Sequence, residues 1–378
     1  MTEPFVKGWC PGAYRPMASG DGLLVRVRPK LSQLTKYQLV NLCTLSAKYG
    51  SGIIELTSRA NVQIRGIKET AHLELLNALA ELELLDPDPV TEARRNITVT
   101  PDWAPGDLNQ KITDDLYACL AELPELPAKF GISIDLGPSP RLKGVSADIR
   151  VERTSDGDVI VCLDGCRFGQ PVEIKNIIQT IIGAADWFVA TGGCAAKRMR
   201  HHLKRVSVPK DWCKLPRSED NRPMKVGTTK YGQIIGIPFG QCMHHELAKL
   251  ITSSAAEEFR ITPWRSLILV GAETVVEDNI FIANPSNPLL NVSACPGKSL
   301  CPSATVDTRA LARALAQRTE GDLHVSGCSK GCAKPKASGV TLVGERGMFN
   351  LVRNGCAADT PQQTGLSPLS ILQSADLI

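Results

Sequence analysis

The same strand–helix–strand unit occurs twice in this chain. The first unit begins with an alternating strand, Asp21–Pro29, continues through a helical segment and ends with strand residues Ile53–Ile67. The second begins at Tyr231–Phe239, has a helical segment in the same place and ends at Arg260–Ala272. A strand–helix–strand unit is half of a ferredoxin-like domain, and an internal repeat restricts the fold to a duplicated architecture.

Each repeated unit is followed by a longer segment of mixed helices and strands, so the sequence predicts four parts in the order A–B–A′–B′. The predicted class is α+β, and residues 208–223 are expected to link the two halves. The tail is polar and is expected to add little to the core. The predicted parts are a ferredoxin-like half at 15–85, a mixed α/β half at 86–210, a second ferredoxin-like half at 224–285, a second mixed half at 286–357 and a tail at 358–378.

The two units differ in chemistry at aligned positions. When the glycines that close the units are aligned, the first unit is polar where the second is apolar: Arg59, Gln63 and Arg65 correspond to Trp264, Ile268 and Val270. We infer a division of labour after the duplication. The first half kept cationic side chains, and the second half kept thiols.

Four cysteines in the second half form the strongest chemical motif. Cys295 and Cys301 have C-x5-C spacing, and Cys328 and Cys332 have C-x3-C spacing. Thiolates are soft ligands, and four of them are a full ligand set for a [4Fe-4S] cluster. Structural zinc is the alternative, but its modules usually show tighter cysteine spacing. Disulfides are disfavoured because the cysteine count is odd, thirteen, and no apolar leader is expected.

The residues around the cysteines also favour a cluster. Glycines allow backbone amides to approach inorganic sulfur, and lysines place positive charge beside an anionic centre. A helix is predicted to begin at Pro302 and to end before Gly321, with the positive end of its dipole toward the cluster. The flanking residues are Gly297, Gly327 and Gly331, with Lys298, Lys330, Lys334 and Lys336.

Arginines form a second motif, on paired strands of the first unit. Arg26 and Arg28 alternate on one strand and therefore point to one face. Odd-numbered residues of the companion strand are expected to share a face in the same way. Guanidinium groups bind carboxylates in a fork geometry, so the set predicts a ligand with several carboxylates. Solvated arginines or internal salt bridges are the alternative for any single member. The remaining members are Arg59, Gln63, Arg65, Arg95, Asn96 and Lys129.

Composition excludes several classes of protein. The chain has 378 residues, 43% hydrophobic and 22% charged, with a net charge of +4, as in ordinary globular proteins. No segment approaches the roughly 20 apolar residues of a membrane span, and the arginines form neither a tail nor a helix stripe. We therefore expect a cytoplasmic protein that binds neither membrane nor nucleic acid. No glycine-rich dinucleotide motif is present, so electrons are expected from a separate donor.

Together these motifs resemble the siroheme-dependent nitrite and sulfite reductase superfamily. The resemblance implies two ferredoxin-like halves and two mixed halves that enclose a tetrapyrrole beside a [4Fe-4S] cluster. It implies that the four cysteines bind the cluster, with Cys332 bridging to a siroheme iron where one is present. It also implies that Arg28, Arg59 and Arg95 contact tetrapyrrole carboxylates, with the other arginine-set members in the same groove.

The resemblance extends to a catalytic lysine, for which Lys129 is the match. The family's second lysine position is Gly131 here, which disfavours reduction of a small oxyanion. Segments such as LTSRANVQIRG and LHVSGCSKGCAKP are similar to the precorrin-3B synthase branch of the superfamily.

That branch implies hydroxylation of precorrin-3A with lactone formation, giving precorrin-3B. It implies O2, a separate NADH-linked electron donor, the [4Fe-4S] cluster and a mononuclear non-haem iron whose ligands no motif fixes. A siroheme-dependent nitrite or sulfite reductase is the alternative. A non-catalytic electron carrier or tetrapyrrole-binding protein is a third, although a plain carrier needs no polyanion pocket.

Overall fold

A computed structural model describes residues 11–273 and 280–374 of the chain. The predicted parts 224–285 and 358–378 include residues 274–279 and 375–378, which lie outside the described residues. Within the described ranges, no helix combines the length and the apolar character that crossing a membrane requires.

The first repeated unit contains five strands and two helices among the described residues. They are β1 (Met17–Ser19), β2 (Gly22–Val27), β3 (Gln33–Thr35), α1 (Lys36–Tyr49), β4 (Ile53–Leu56), β5 (Val62–Ile67) and α2 (His72–Glu81). The first mixed segment follows with α3 (Pro89–Arg94), β6 (Ile97–Val99), α4 (Leu108–Ala118), β7 (Ile132–Asp135), β8 (Ile149–Arg153), β9 (Val159–Leu163), β10 (Phe168–Pro171), α5 (Ile177–Ala190), α6 (Gly193–Ala196), α7 (Met199–His202) and β11 (Leu215–Pro216).

The second half repeats this order with shorter connections. Its ferredoxin-like unit contains β12 (Gly227–Thr229), β13 (Gly232–Gly236), β14 (Gln241–Met243), α8 (His244–Ser253), β15 (Glu258–Ile261) and β16 (Ser266–Val270). Its mixed segment contains β17 (Val292–Ala294), α9 (Arg309–Leu315), β18 (Leu323–Ser326), β19 (Ser338–Glu345), β20 (Met348–Gly355), β21 (Gln363–Leu366) and α10 (Pro368–Gln373).

The two ferredoxin-like sheets have matching topologies and exchange one strand each. Their strand orders are β1-β2-β5-β4-β14 and β12-β13-β16-β15-β3. In each sheet the last strand comes from the other half, so that Cys242 pairs with Ile54 and Leu34 pairs with Phe259. Directly before each exchanged strand, residues in the left-handed backbone conformation turn the chain toward the other sheet. The two halves therefore cannot form complete sheets separately.

Each predicted second strand of the repeat is a hairpin. The segment Ile53–Ile67 was expected to be one strand, but it forms β4 and β5 around a turn at residues 57–61. Thr57 stabilises this turn, since its hydroxyl accepts hydrogen bonds from the amides of Arg59 and Asn61 at 3.3 and 3.2 Å. Arg59 and Asn61 therefore belong to the turn and do not share the strand face of Gln63.

The two mixed sheets also match each other. Their strand orders are β6-β7-β8-β9-β10-β11 and β17-β18-β19-β20-β21. In both, the first three strands are parallel, and a tight antiparallel pair follows. The carboxyl ends of neighbouring parallel strands meet at one edge of a sheet, and this geometry places the cysteines.

Three local expectations were wrong. The predicted linker 208–223 contains β11, which extends the first mixed sheet. The tail contributes to the core, because β21 pairs with β20 and Ile371 of α10 is 1% exposed. Helix α9 begins at Arg309 and not at Pro302, because the residues between them bond to the cysteine loops.

The strand exchange makes a prediction about stability. Leu34 lies on the exchanged strand β3 and is 0% exposed, so Leu34→Ala should lower the free energy of unfolding by about 2–5 kcal/mol. Because the sheets share strands and one hydrophobic core, urea unfolding should remain a single transition. Leu73→Ala is the matched control, since Leu73 is 68% exposed. Separate transitions for the two halves would contradict the shared core.

Candidate functional site

The two cysteine motifs come near each other because Cys295 and Cys328 follow neighbouring parallel strands. Ala294 of β17 is in register with Val325 of β18, so both strands end at the same sheet edge. Cys295 directly follows β17, and Cys328 lies two residues after β18 ends. Helix α9 makes the crossover between these strands. The topology thus brings together two motifs that are well separated in the sequence.

Close backbone approach is required at Gly327. Its amide donates a hydrogen bond to the Cys295 sulfur at 3.1 Å. A Cβ atom at this position would lie 3.4 Å from that sulfur and 2.5 Å from the Cβ of Ala304. Only glycine leaves this space free, as a ligand loop wrapped around sulfur requires.

The thiols influence each other electrostatically. Desolvation raises the pKa of Cys328, and the charges of Cys295 and Cys301 raise it further. The pKa of Cys332 is raised in the same way, by desolvation first and also by the other three thiolates. Lys330 opposes both shifts. Cations and bound metal favour the thiolate form, so four coupled thiols with a nearby lysine fit a metal–sulfur centre.

Hydrogen bonds hold the segment between Cys301 and α9 against both cysteine loops. The Thr308 hydroxyl donates to the Cys295 carbonyl at 2.5 Å. The Thr305 amide donates to the Gly327 carbonyl at 2.9 Å. These bonds replace the helical pattern that was predicted from Pro302.

The cysteine loop is joined to the first half by Arg65. This guanidinium is 2% exposed and donates to the Leu300 carbonyl, between the first two cysteines, at 3.0 Å. It forms ion pairs with Asp21 at 2.9 Å and with Glu55 at 3.3 Å. Glu55 also pairs with Arg309 of the second half at 3.3 Å. Arg65 therefore forms internal salt bridges, which was the alternative to ligand binding for a single arginine.

A second cationic group surrounds Glu92. Arg28 and Arg95 pair with the two oxygens of this carboxylate at 3.1 and 2.8 Å. All three side chains are buried. Two guanidinium groups share one carboxylate, so this network carries a net positive charge. Burial is the largest influence on the pKa of Arg95 and lowers it, but Glu92 and Tyr117 together outweigh burial, so the pKa is raised.

Arg59, Asn96 and Lys129 form a third group. Arg59 donates to the Lys129 carbonyl at 2.8 Å, and Asn96 donates to the Phe130 carbonyl at 2.5 Å. A Cβ at Gly131 would lie 2.8 Å from Nδ2 of Asn96 and 3.3 Å from Nη1 of Arg59. The position that corresponds to the second family lysine is therefore occupied by neighbouring side chains.

A cavity of about 790 Å³ lies beside these two groups. Its lining includes Arg15, Arg28, Arg94, Asn96 and Gly131, the carboxylates Glu92 and Glu125, and a majority of apolar residues. This volume is within the range of sites for small organic ligands, roughly 300–1,000 Å³. The four cysteines do not line this cavity.

The cavity and the cysteine loop lie at different points along the same strand pair. Arg28 directly follows β2 on the cavity side, whereas Arg65 lies opposite the start of β2 and contacts the cysteine loop. Four residues of strand separate the two points, which is roughly 13 Å. Arg26 lies between them and donates to Gln63 at 3.2 Å. The structure thus places Arg26, Arg28, Gln63 and Arg65 along one strand pair, and the ligand roles of the predicted site residues stay predictions.

The resemblance implies two metal centres, a [4Fe-4S] cluster and a mononuclear iron, and the described residues fit them differently. Each cysteine of a [4Fe-4S] cluster binds a different iron atom, and the converging thiols and Gly327 fit such a centre. A mononuclear iron needs several ligands around one ion. Among residues 11–273 and 280–374, no three His, Cys, Asp or Glu side chains are close enough to share one metal ion. No ligand set for a mononuclear iron can therefore be named.

Sequence reasoning missed the environment of His324. In the described structure both of its ring nitrogens are buried without a partner. Burial lowers the pKa of His324 to about 4, with further effects from Lys334 and Arg265. The only sequence signal was its position four residues before Cys328.

Comparisons with known proteins agree with this architecture. Residues 15–82 match the family model of the nitrite/sulfite reductase ferredoxin-like half domain. The solved structure of the Mycobacterium tuberculosis NirA protein has the same fold, with a TM-score of 0.66 and 15% identity over 93% of this chain and 79% of that one. The chain thus contains a segment similar to the nitrite/sulfite reductase half domain, and the predicted fold class is confirmed.

The chain is also similar to named enzymes over most of its length. It is 27% identical to precorrin-3B synthase of Sinorhizobium sp., over 94% of this chain and 84% of the relative. It is 22% identical to ferredoxin–nitrite reductase of Leptolyngbya laminosa and 23% identical to that of Synechococcus elongatus. Both reductase alignments cover 89% of this chain and 79% of the relative.

The packing at Gly131 can be tested directly. Gly131→Ala should lower the free energy of unfolding by about 1–3 kcal/mol, because the new methyl group displaces the buried, hydrogen-bonded Asn96 amide. Gly131→Lys should cost more, since it also adds a charge near Arg59. Chemical denaturation measures both. Gly183→Ala on α5 is the control, because a Cβ there has no neighbour within 4 Å. A neutral Gly131→Ala would refute the packing argument.

Proposed function

We propose that this chain is an oxygen-dependent monooxygenase of aerobic cobalamin biosynthesis. In this proposal it hydroxylates precorrin-3A with lactone formation and gives precorrin-3B. One oxygen atom of O2 enters the product, the other leaves as water, and two electrons and two protons are consumed. The electrons come from a separate, NADH-linked donor, and the reaction takes place in the cytoplasm without membrane or nucleic acid.

The similarity to precorrin-3B synthase over 94% of the chain carries this proposal. The packing at Gly131 supports it, since a paired lysine for a small oxyanion has no space there. The positive charge beside the cavity also supports it, because precorrin-3A is a macrocycle with many carboxylate arms.

The chain's own side chains would bind and orient the substrate. The Arg28–Glu92–Arg95 network has a surplus positive charge, which a substrate carboxylate at the cavity can neutralise. Arg59 and Asn96 place a guanidinium and an amide beside the segment that carries Lys129. A [4Fe-4S] cluster held by the four cysteines supplies single-electron transfer when it is bound.

The cluster assignment is tested by anaerobic purification with iron and sulfide analysis. The wild type should contain about four iron and four sulfide per chain, since that is the composition of a [4Fe-4S] cluster. Cys328→Ser should lose both. Cys194→Ser is the control, because Cys194 is an exposed thiol outside the quartet. Stoichiometric iron and sulfide in Cys328→Ser would reject the ligand set. Turnover of precorrin-3A under labelled O2, with one labelled atom in the product, tests the reaction itself.

The carboxylate-binding role is tested at Arg59. Arg59→Ala should weaken precorrin-3A binding about 10- to 100-fold, which corresponds to the roughly 1.5–3 kcal/mol of a charged hydrogen bond. Its cluster content should remain normal. Arg222→Ala is the control, since Arg222 pairs with Asp220 at the surface. Unchanged affinity in Arg59→Ala would remove this residue from the binding site.

A siroheme-dependent nitrite or sulfite reductase is the second candidate, and the two nitrite reductase alignments favour it. The absorption spectrum of the purified protein separates the candidates. Bound siroheme gives strong bands in the red region, whereas a cluster alone gives broad brown absorption. Red bands together with nitrite or sulfite turnover would decide for the reductase.

A further inference from the structure

His324 is a buried polar group that the architecture of the second half does not explain. Its side chain is 0% exposed, and neither ring nitrogen has a hydrogen-bond partner within the described structure. A neutral imidazole has one donor and one acceptor nitrogen. Buried polar groups are nearly always hydrogen-bonded, so a fully buried ring with two unpaired nitrogens indicates a missing partner.

His324 lies beneath the loop that carries Cys328 and Cys332. In the parallel sheet it is in register with Ser293 of β17 and Thr341 of β19. The alternate residues of these strands, such as Leu323 and Val325, point to the other face and form the core with α9. A Cβ at Gly331, directly before Cys332, would lie 3.7 Å from Cε1 of the imidazole. The ring therefore lies next to the backbone of the C-x3-C loop.

Two carbonyl oxygens in and beside the C-x3-C loop already have donors of their own. The Ala333 carbonyl accepts from Arg265 at 2.6 Å. The Cys328 carbonyl accepts from the Ser326 hydroxyl at 2.7 Å. The side chains of Lys334 and Arg265 are cations, so they offer donors and no acceptors. The sulfur atoms of the centre that this loop carries are further acceptors for an imidazole N–H group.

We propose that the N–H group of His324 donates a hydrogen bond to a sulfur atom of the four-cysteine centre. The proposal rests on the [4Fe-4S] assignment made above. His324 is then a positioning residue that holds the C-x3-C loop against the cluster. A hydrogen bond to sulfur stabilises the more negative, reduced cluster, and such bonds are among the features that set cluster potentials. His324 thus makes the cluster easier to reduce.

The test compares His324→Leu, which removes the donor, with His324→Gln, which keeps an amide donor. His202→Leu is the matched control, because His202 is also buried but bonds to the Thr191 hydroxyl at 2.7 Å. The midpoint potential of the cluster is measured by redox titration with electron paramagnetic resonance. Cluster loss to a chelator and the melting temperature of the apoprotein are measured on the same variants.

His324→Leu should shift the midpoint potential to more negative values and lose its cluster about tenfold faster, as 1.4 kcal/mol corresponds to tenfold. His324→Gln should restore most of both properties, and His202→Leu should leave the potential unchanged. The apoprotein of His324→Leu should melt at a higher temperature than the wild-type apoprotein, because an unpaired polar group has been removed.

Two different failures can be distinguished. A full cluster with an unchanged potential in His324→Leu would overturn the hydrogen bond and leave the proposed function intact. Wild-type protein that binds no cluster after anaerobic reconstitution would overturn both. A purely structural histidine predicts a lower melting temperature of the His324→Leu apoprotein at an unchanged cluster potential.

Discussion

The buried guanidinium of Arg65 joins the two halves of the molecule. A buried charge is tolerated only where its partners are complete, and removing one partner is strongly destabilising. Arg65 meets this condition with Asp21 and Glu55 from the first half and the Leu300 carbonyl from the second. Because Leu300 lies between Cys295 and Cys301, the position of the cysteine loop depends on this ion-pair network.

The duplicated frame carries different chemistry at equivalent points. In the second mixed sheet, β17 and β18 are followed by thiols. In the first mixed sheet, the equivalent strand β6 is followed by Asp102, which pairs with Arg141 at 3.0 Å. At this edge of the sheet, the first half therefore forms a salt bridge, whereas the second half presents thiols, which are soft metal ligands.

The sequence allowed the main features of the fold and site to be predicted. Periodicity and the repeat identified the strand–helix–strand units, and the cysteine spacing identified the candidate metal centre. The strand exchange could not be predicted, because β3 and β14 have only three residues each and their partners are distant in sequence. The start of α9 was missed because local propensity favoured a helix, whereas bonds from Thr305 and Thr308 to the cysteine loops determine the backbone.

The arginine set shows why residue types alone do not define a binding site. The alternation of strand residues predicts that Arg28 and Arg65 share one face of the sheet. In the structure they differ in the carboxylates with which each one pairs. Arg65 faces two acidic partners and is neutralised. Arg28 shares Glu92 with Arg95, so positive charge remains at the cavity. Because Glu92 lies far from both strands in the sequence, only the folded chain distinguishes a structural guanidinium from one available to a polyanionic ligand.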